Sequence, residues 1–265
     1  MPAPQVNKPE ETTNLSIHDC FVSQTILSKS PIDEYYKITT EIVKLTKPDL
    51  ITDNPVLTQL IILGYVSAVE GYLRSIFCEI LNICPTARKN AANKPIRYGA
   101  LDYYEFSRLA EALFDTSSFA SLEETKKKSN DLLGMDIKNN TSIHTALKNF
   151  NLVCHLRHCA IHSGGTLNAH NAKELGLPKE FVNKKLQPNA IVLQEALLTC
   201  HSFVRSFNQF ALNSTFERWI PNTFRGNWRI EKKDFIKLID IFWSKVDLGE
   251  CSYNNLFKSS VPRIQ

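Results

Sequence analysis

The sequence predicts an all-α fold, and three observations support this prediction. Apolar residues recur three and four positions apart through several long segments, which is typical of helices that bury one face. Residues that commonly start or stop helices bound most of these segments. No segment alternates apolar and polar residues with period two for long enough to form a strand. At 265 residues the chain can bury a substantial helical core.

Composition restricts the class of protein without fixing its function. Hydrophobic residues make up 43% and charged residues 22% of the chain, which favours a folded globular protein. A formal net charge of +4 is compatible with a nucleic-acid partner but does not require one. The polar N-terminus lacks the apolar core of a secretory signal. Seven cysteines without a CxxC pair indicate reduced thiols, so we expect a cytoplasmic protein.

The first part of the chain is expected to be a flexible tail, residues 1–30, followed by two helices. The first helix is expected over residues 31–47. Asn54 and Pro55 start the second, a long apolar segment that Cys84 and Pro85 stop. This segment is long enough to span a membrane but carries three charged residues, so we expect a buried helix and no membrane contact: Glu70, Arg74 and Glu79.

The remainder of the chain is expected to add further helices to the same bundle. Residues 86–100 are polar and interrupted by proline and glycine, which predicts a surface connection. Further helices are expected over 101–114, 119–134, 188–216 and 231–246. The predicted organisation is therefore one helical domain over residues 31–216 and a small C-terminal helical cap over residues 217–265.

The segment from Ser142 to Ser163 carries the residues most suited to chemistry. Ser142 is the expected N-cap, and Gly164 with Gly165 is the expected stop. At 100° per residue, one stripe should face the core: Ile143, Ala146, Leu147, Phe150, Val153 and Ile161. A second strip beside it is polar: Asn151, His155, His158 and His162. Arg157 lies at the edge of the apolar stripe, where a half-buried guanidinium needs a partner.

Arg157 and His162, with four residues between them at the end of a long helix, resemble the signature motif of the HEPN superfamily. The polar residue directly after the arginine and the Gly-Gly stop are also similar to that family. The long apolar helix, with Glu70 and Arg74 four positions apart, resembles the HEPN branches of bacterial defence and toxin systems.

The resemblance implies a homodimer in which two motif helices meet and form one composite site on RNA. The implied reaction is metal-independent and needs no cofactor: the ribose 2′-hydroxyl attacks the adjacent phosphate. Arg157 would stabilise the developing charge, and His162 would transfer protons, because an imidazole titrates near neutral pH. The auxiliary or substrate-orienting residues would be His158, Asn151, His155 and Glu70. A toxin or abortive-infection role is implied, with an antitoxin or other regulatory protein as a partner.

Several alternatives remain open at this point. His162 could simply cap the helix end, and Glu70 could pair either with Arg157 or, four positions away, with Arg74. A metal site could use Cys154, His158 and His162, although no fourth ligand is evident. The chain could also be a non-catalytic HEPN-like module that binds RNA, nucleotide or protein. No P-loop, HExxH or GxSxG motif supports an NTPase, metalloprotease or serine hydrolase.

The C-terminal stretch from Arg218 to Lys245 mixes basic and aromatic residues. Such a composition is compatible with nucleic-acid contact. Aromatic residues at helical spacing are more often part of a core, and we favour that interpretation here: Trp219, Phe224, Trp228, Phe235, Phe242 and Trp243.

Overall fold

The computed structural model describes residues 15–22, 30–220 and 223–261, and within them the chain is all-α as predicted. No strand occurs in these ranges, where an isolated bridge joins Thr166 to Lys185. The expected N-terminal tail falls mostly on residues 1–14 and 23–29, which lie outside the described residues. A short 3-10 helix, Ile17–Cys20, is exposed.

Helices follow one another along the chain with short connections. The α-helices are α1 (Pro31–Val43), α2 (Pro48–Ile51), α3 (Pro55–Ile83), α4 (Pro85–Ala91), α5 (Leu122–Leu133), α6 (Ser142–His162), α7 (Ala169–Glu174), α8 (Ala190–Trp219), α9 (Trp228–Phe242), α10 (Lys245–Leu248) and α11 (Tyr253–Ser260). The 3-10 helices after Ile17–Cys20 are Lys44–Thr46, Tyr98–Asp102, Phe106–Leu113 and Lys179–Phe181.

Helix α3 is the centre of the bundle and packs against α1, α6 and α8. It begins and ends as the sequence predicts: the Asn54 side chain accepts from Leu57 N–H at 3.0 Å, and Cys84 is extended before Pro85. Fifteen of its side chains are buried. By length and composition α3 could cross a membrane, yet half of its most apolar window is buried by the other helices.

The start of α3 lies beside the segment that follows α6. Gln59 donates from Nε2 to the carbonyl oxygen of Leu186 at 2.9 Å, and its side chain also lies against Gly165. Because α3 reaches past the end of α6 in this way, it supports the part of α6 that carries Arg157 and His162.

The prediction of a surface connection over residues 86–100 is wrong at both ends of that range. Helix α4 occupies its first part, with Pro85 in the first turn and Ala87 fully buried. Arg88 donates to the carbonyl oxygens of Leu81 and Asn82. These bonds satisfy two carbonyls that the end of α3 leaves without helical partners, so α4 acts as a cap on the central helix.

The helix predicted over residues 101–114 is present as two 3-10 helices separated by Tyr103–Glu105. The second of them, Phe106–Leu113, lies along the last part of α3. In a 3-10 helix, side chains three positions apart align, so this segment presents narrower faces than an α-helix would.

The C-terminal aromatic residues are core residues, which confirms the interpretation favoured above. Trp219, Phe224, Phe235 and Phe242 are buried, and Trp228 and Trp243 are partly buried. The Phe224 ring packs against those of Phe235 and Phe257 at centroid distances of 5.7 and 6.3 Å. These aromatic faces are consequently not available for stacking on nucleic-acid bases. All seven cysteines are free, and five of them are buried.

A half-buried histidine, His201, joins α1 to α8. The Tyr35 hydroxyl is hydrogen-bonded to His201 Nδ1 at 2.9 Å, and both tyrosine rings of α1, Tyr35 and Tyr36, pack edge-on against the imidazole. Burial, followed by the nearby Arg205, lowers the pKa of His201, whereas Asp247 opposes the shift. Burial therefore favours the neutral form of the ring.

We expect the stability of the protein to fall as the pH drops below about 6.5, the ordinary pKa of histidine. The reason is that His201 binds a proton more readily in the unfolded chain than in the folded protein, so protonation favours unfolding. Above this pH, His201 is neutral in both states and this loss of stability is absent. Urea unfolding between pH 5 and 8 should show a smaller loss of stability at low pH in His201→Gln than in the wild type. Equal pH dependence in the two proteins would show that His201 does not contribute.

Candidate functional site

Helix α6 is fixed by its apolar stripe, which faces the core largely as predicted. Thr141, rather than Ser142, is the N-cap, and its hydroxyl accepts from His144 N–H at 3.3 Å. The predicted core residues from Ile143 to Val153 are buried. Ile161 is the exception, since 42% of it is exposed, and the prediction that it faces the core is wrong.

The buried side of α6 changes over its last two turns, which explains Ile161. Cys159, on the opposite side of the helix from the apolar stripe, is buried in a second cluster with Leu167 and Ala172. Those residues belong to the segment that follows α6 and folds back over it. Arg157 and Ile161 lie on the continuation of the core stripe beyond the main core, so both remain partly open to solvent.

The Gly-Gly stop makes this folding back possible. Gly164 and Gly165 have φ values of 53° and 76°, in the left-handed region that glycine adopts readily. The amide of Gly165 donates to Cys159 O at 3.0 Å, and a Cβ at this residue would meet Gln59 Nε2 at 2.5 Å. Gly165 is therefore favoured by its backbone angle, and a side chain there would also displace the end of Gln59, which donates to Leu186 O. The turn carries α7 back alongside α6.

Asn151 and His155 form a hydrogen-bonded chain that ties three helices together. Asn151 Oδ1 accepts from Leu122 N–H at 2.9 Å, so its Nδ2 is the donor to His155 Nε2 at 3.2 Å. His155 Nδ1 then donates to Asn171 Oδ1 at 3.0 Å. A ring that accepts at one nitrogen and donates at the other is neutral. This chain sets the positions of α5 and α7 relative to α6.

The other basic side chains gather around His158. The rings of His158 and His162 are 4.5 Å apart between centroids, at 44°. His170, from α7, lies 6.1 Å from His155. Burial lowers the pKa of His158, and four positively charged or protonatable neighbours lower it further: His162, Arg157, His155 and His170. We call these five residues the imidazole–guanidinium cluster: His155, Arg157, His158, His162 and His170.

His170 was not among the candidates found in the sequence. It lies eight residues after His162, in a polar segment without a periodic pattern, and only the return of the chain at Gly164 and Gly165 brings it to α6. Its proximity to the motif depends on the turn at Gly164 and Gly165. The sequence predicts that the helix stops there, but not in which direction the chain continues.

Arg157 does not form the ion pair with Glu70 that was one of the two pairings left open. The Glu70 carboxylate accepts from the Ser118 hydroxyl at 3.0 Å and from Phe119 N–H at 2.8 Å. Its other partner is Arg74, at 3.9 Å between Nη2 and Oε1. Glu70 therefore anchors the segment before α5 to the central helix. The spacing of residues along α3 could not predict these donors, because Ser118 and Phe119 are distant in the sequence.

The Arg157 guanidinium forms no hydrogen bond or ion pair with another residue in the described parts of the chain. The predicted need for a partner is thus not met by residues 15–22, 30–220 or 223–261. Within these ranges no acceptor occupies the five N–H donors of the guanidinium, which are suited to binding an anion.

The alternative metal site has no support in the geometry. Burial, followed by Cys200 and Glu70, raises the pKa of Cys154 well above its ordinary value, so this residue stays a thiol and points into the core. His158 and His162 lie on the open side of the helix. Among the described residues, no group of three histidine, cysteine or acidic side chains is arranged to hold a metal ion.

Comparison with known proteins adds nothing to this geometry: no protein-family model, curated protein or solved structure matches the chain.

Proposed function

We propose that this protein is a metal-independent endoribonuclease whose reacting phosphate binds at the imidazole–guanidinium cluster. The observation that carries the proposal is the clustering of four histidines around the end of α6: the ring centroids of His158 and His162 are 4.5 Å apart and those of His155 and His170 are 6.1 Å apart. Arg157, next to His158, adds a permanent positive charge. A site with this composition favours a bound anion. The resemblance of Arg157 and His162 to the HEPN motif specifies the anion as an RNA phosphate.

The reaction needs three things from the protein, and the cluster contains groups suited to each. A base removes the proton from the 2′-hydroxyl as its oxygen attacks phosphorus. Charge gathers on the non-bridging oxygens, where a guanidinium can form two parallel hydrogen bonds. An acid then protonates the leaving 5′-oxygen as the P–O5′ bond breaks. The products are a 2′,3′-cyclic phosphate and a 5′-hydroxyl end.

In this proposal Arg157 binds the non-bridging oxygens and His162 transfers protons. His162 is exposed at the last residue of α6, where a substrate can reach it. His158 orients the substrate or its neighbour: its lowered pKa keeps the ring neutral at pH 7, so it can accept a hydrogen bond as well as donate one. Asn151 and His155 position α5 and α7 around the site.

The complete site is a homodimer in this proposal, with Arg157 and His162 contributed by both protomers. Two features support it. Arg157 has no partner within its own described chain, and Ile161, one turn further along the same face, leaves apolar surface exposed. A dimer would cover this face and bring two motifs together. Light scattering at micromolar concentration should give twice the chain mass of 30.1 kDa.

Cleavage of a mixed single-stranded RNA in the presence of EDTA tests the proposal. We expect fragments that carry 2′,3′-cyclic phosphate and 5′-hydroxyl ends, identified by mass spectrometry. A matched RNA with 2′-O-methyl groups should remain intact, because it lacks the attacking hydroxyl. Cleavage of both RNAs, or cleavage that EDTA abolishes, would contradict the mechanism.

The second candidate is a binding module that uses the same cluster to hold RNA, a nucleotide or an acidic partner without turnover. The favouring observation is that the Asn151–His155–Asn171 chain already gives part of the polar strip a structural role. Binding of RNA that depends on Arg157, without cleavage under any condition tested, would support this candidate.

As an active nuclease, the protein would suit a toxin or defence role controlled by a regulatory partner.

A further inference from the structure

Four large side chains on the segment between α4 and α5 are more than half exposed to solvent, and three of them are aromatic. The exposed fraction is 85% for Tyr98, 89% for Tyr103 and 92% for Phe106, and Leu101 is also more than half exposed. Most of the protein's other aromatic rings are buried or partly buried. Exposed apolar groups gathered in one place commonly mark an interaction surface. We call these four residues the aromatic surface.

A few contacts hold the backbone of the segment that carries the aromatic surface. Ala100 is buried between Tyr98 and Leu101, and the Tyr104 hydroxyl donates to Asp115 Oδ1 at 2.7 Å. Phe106 starts the 3-10 helix that packs along α3. These contacts involve neighbouring residues and leave the rings of Tyr98, Tyr103 and Phe106 exposed.

A groove with cationic residues adjoins the aromatic surface. Its volume is about 800 Å³, and its walls come from the end of α3, from α4, from the second 3-10 helix of this segment and from α9. Phe106 forms part of one wall, and three basic residues lie on the others: Arg88, Lys94 and Lys237. Glu79 is the acidic residue of the lining; burial raises its pKa, and Lys237 opposes that shift.

The segment that precedes the aromatic surface also carries positive charge. Between residues 85 and 97 there are four basic residues and no acidic residue. Lys89 and Arg97 are exposed, and Lys94 forms an ion pair with Asp131, with 3.5 Å between Nζ and Oδ2. Exposed aromatic rings beside a cationic groove are the combination by which proteins bind single-stranded nucleic acid, with bases stacked on rings and phosphates held by basic side chains.

We propose that the aromatic surface and its groove bind single-stranded RNA outside the cleavage site. Bases would stack on Tyr98, Tyr103 and Phe106, and phosphates would lie near Lys94, Arg97 and Lys237. Because every base offers a flat face, this binding would be tolerant of sequence. The choice of RNA as the ligand rests on the proposed function. The inference adds that this RNA is single-stranded where it binds the aromatic surface.

The groove and the imidazole–guanidinium cluster lie at different levels of α3. Gln59 lies against Gly165, directly after α6, whereas Glu79 to Ile83 line the groove. At about 1.5 Å per residue, α3 rises roughly 30–36 Å between these levels. A single RNA strand would have to span this rise to occupy both sites.

Fluorescence anisotropy with a labelled 12-nucleotide single-stranded 2′-O-methyl RNA tests this inference, since that RNA binds without being cleaved. Each stacked base contributes roughly 1–3 kcal/mol, so the Tyr103→Ala/Phe106→Ala double variant of the full chain, which removes two stacking positions, should bind at least about 30-fold more weakly. Leu248→Ala, another exposed side chain, is the matched control and should bind as the wild type does. Both side chains of the double variant are exposed, so folding should be unaffected.

Wild-type affinity in the double variant would overturn the inference. So would equal affinity for double-stranded RNA, or aromatic-dependent binding to vesicles of anionic lipid with no loss of RNA binding. Aromatic-dependent RNA binding in a protein that never cleaves RNA would leave this inference standing and remove the proposed nuclease function. Cleavage without aromatic-dependent binding would do the opposite.

Discussion

Arg157→Ala and His162→Ala should each nearly abolish RNA cleavage. Removing a preorganised donor to the developing phosphate charge costs about 10²–10³ in rate, and removing an acid–base group costs about 10²–10⁴. Arg157 has no hydrogen-bond partner in the described chain, so its loss should leave the fold intact. Single-turnover cleavage in EDTA measures the effect without a contribution from product release.

Two further variants serve as controls for these losses. Arg157→Lys keeps the positive charge but loses the two-pronged geometry, so its rate should lie between those of the wild type and Arg157→Ala. His144→Ala removes an imidazole from the first turn of α6, outside the cluster, and should cleave normally. Equal rates for wild type, Arg157→Ala and His162→Ala would show that the motif is not the catalytic site.

Phe150→Ala should destabilise the protein by about 3–5 kcal/mol, the usual cost of emptying a large buried aromatic site. The Phe150 ring is fully buried on α6 and stacks on Phe203 of α8, with centroids 4.9 Å apart and planes at 9°. Helix α6 packs more extensively on α8 than on any other element. The loss therefore weakens the attachment of the helix that carries the candidate site.

Denaturant unfolding of Phe150→Ala, followed by circular dichroism, measures this cost. Leu152→Ala is the matched control, because Leu152 is on the same helix but exposed, and its free energy of unfolding should change far less. A similar loss in both variants would mean that α6 is not held through its Phe150 face.

Helix limits were predictable where the sequence contains local signals. Asn54 and Pro55 start α3, and Gly164 stops α6, because an N-cap oxygen and a left-handed glycine act on the residues beside them. From the sequence, Pro85 is predicted to stop α3 but not to start another helix. Pro85 does both, since α4 begins at once and caps α3 through Arg88.

The parts of the site that were missed depend on contacts between distant residues. Glu70 is occupied by Ser118 and Phe119, almost fifty residues away, and no spacing rule could indicate this. Ile161 follows the periodicity of the core stripe but lies beyond the end of the core. His170 joins the cluster only through the turn that follows α6. Periodicity predicts which face of a helix is apolar, but it does not predict how far along that face the neighbouring helices extend.

The most direct test of the account is whether a phosphodiester binds at the imidazole–guanidinium cluster, because this does not require knowledge of the preferred RNA sequence. NMR of histidine-labelled protein, titrated with a 2′-O-methyl dinucleotide, follows each imidazole separately. The account predicts that the signals of His158 and His162 shift and saturate together, while those of His18 and His144, outside the cluster, stay in place. Unchanged His158 and His162 signals, or equal shifts at all four rings, would contradict it.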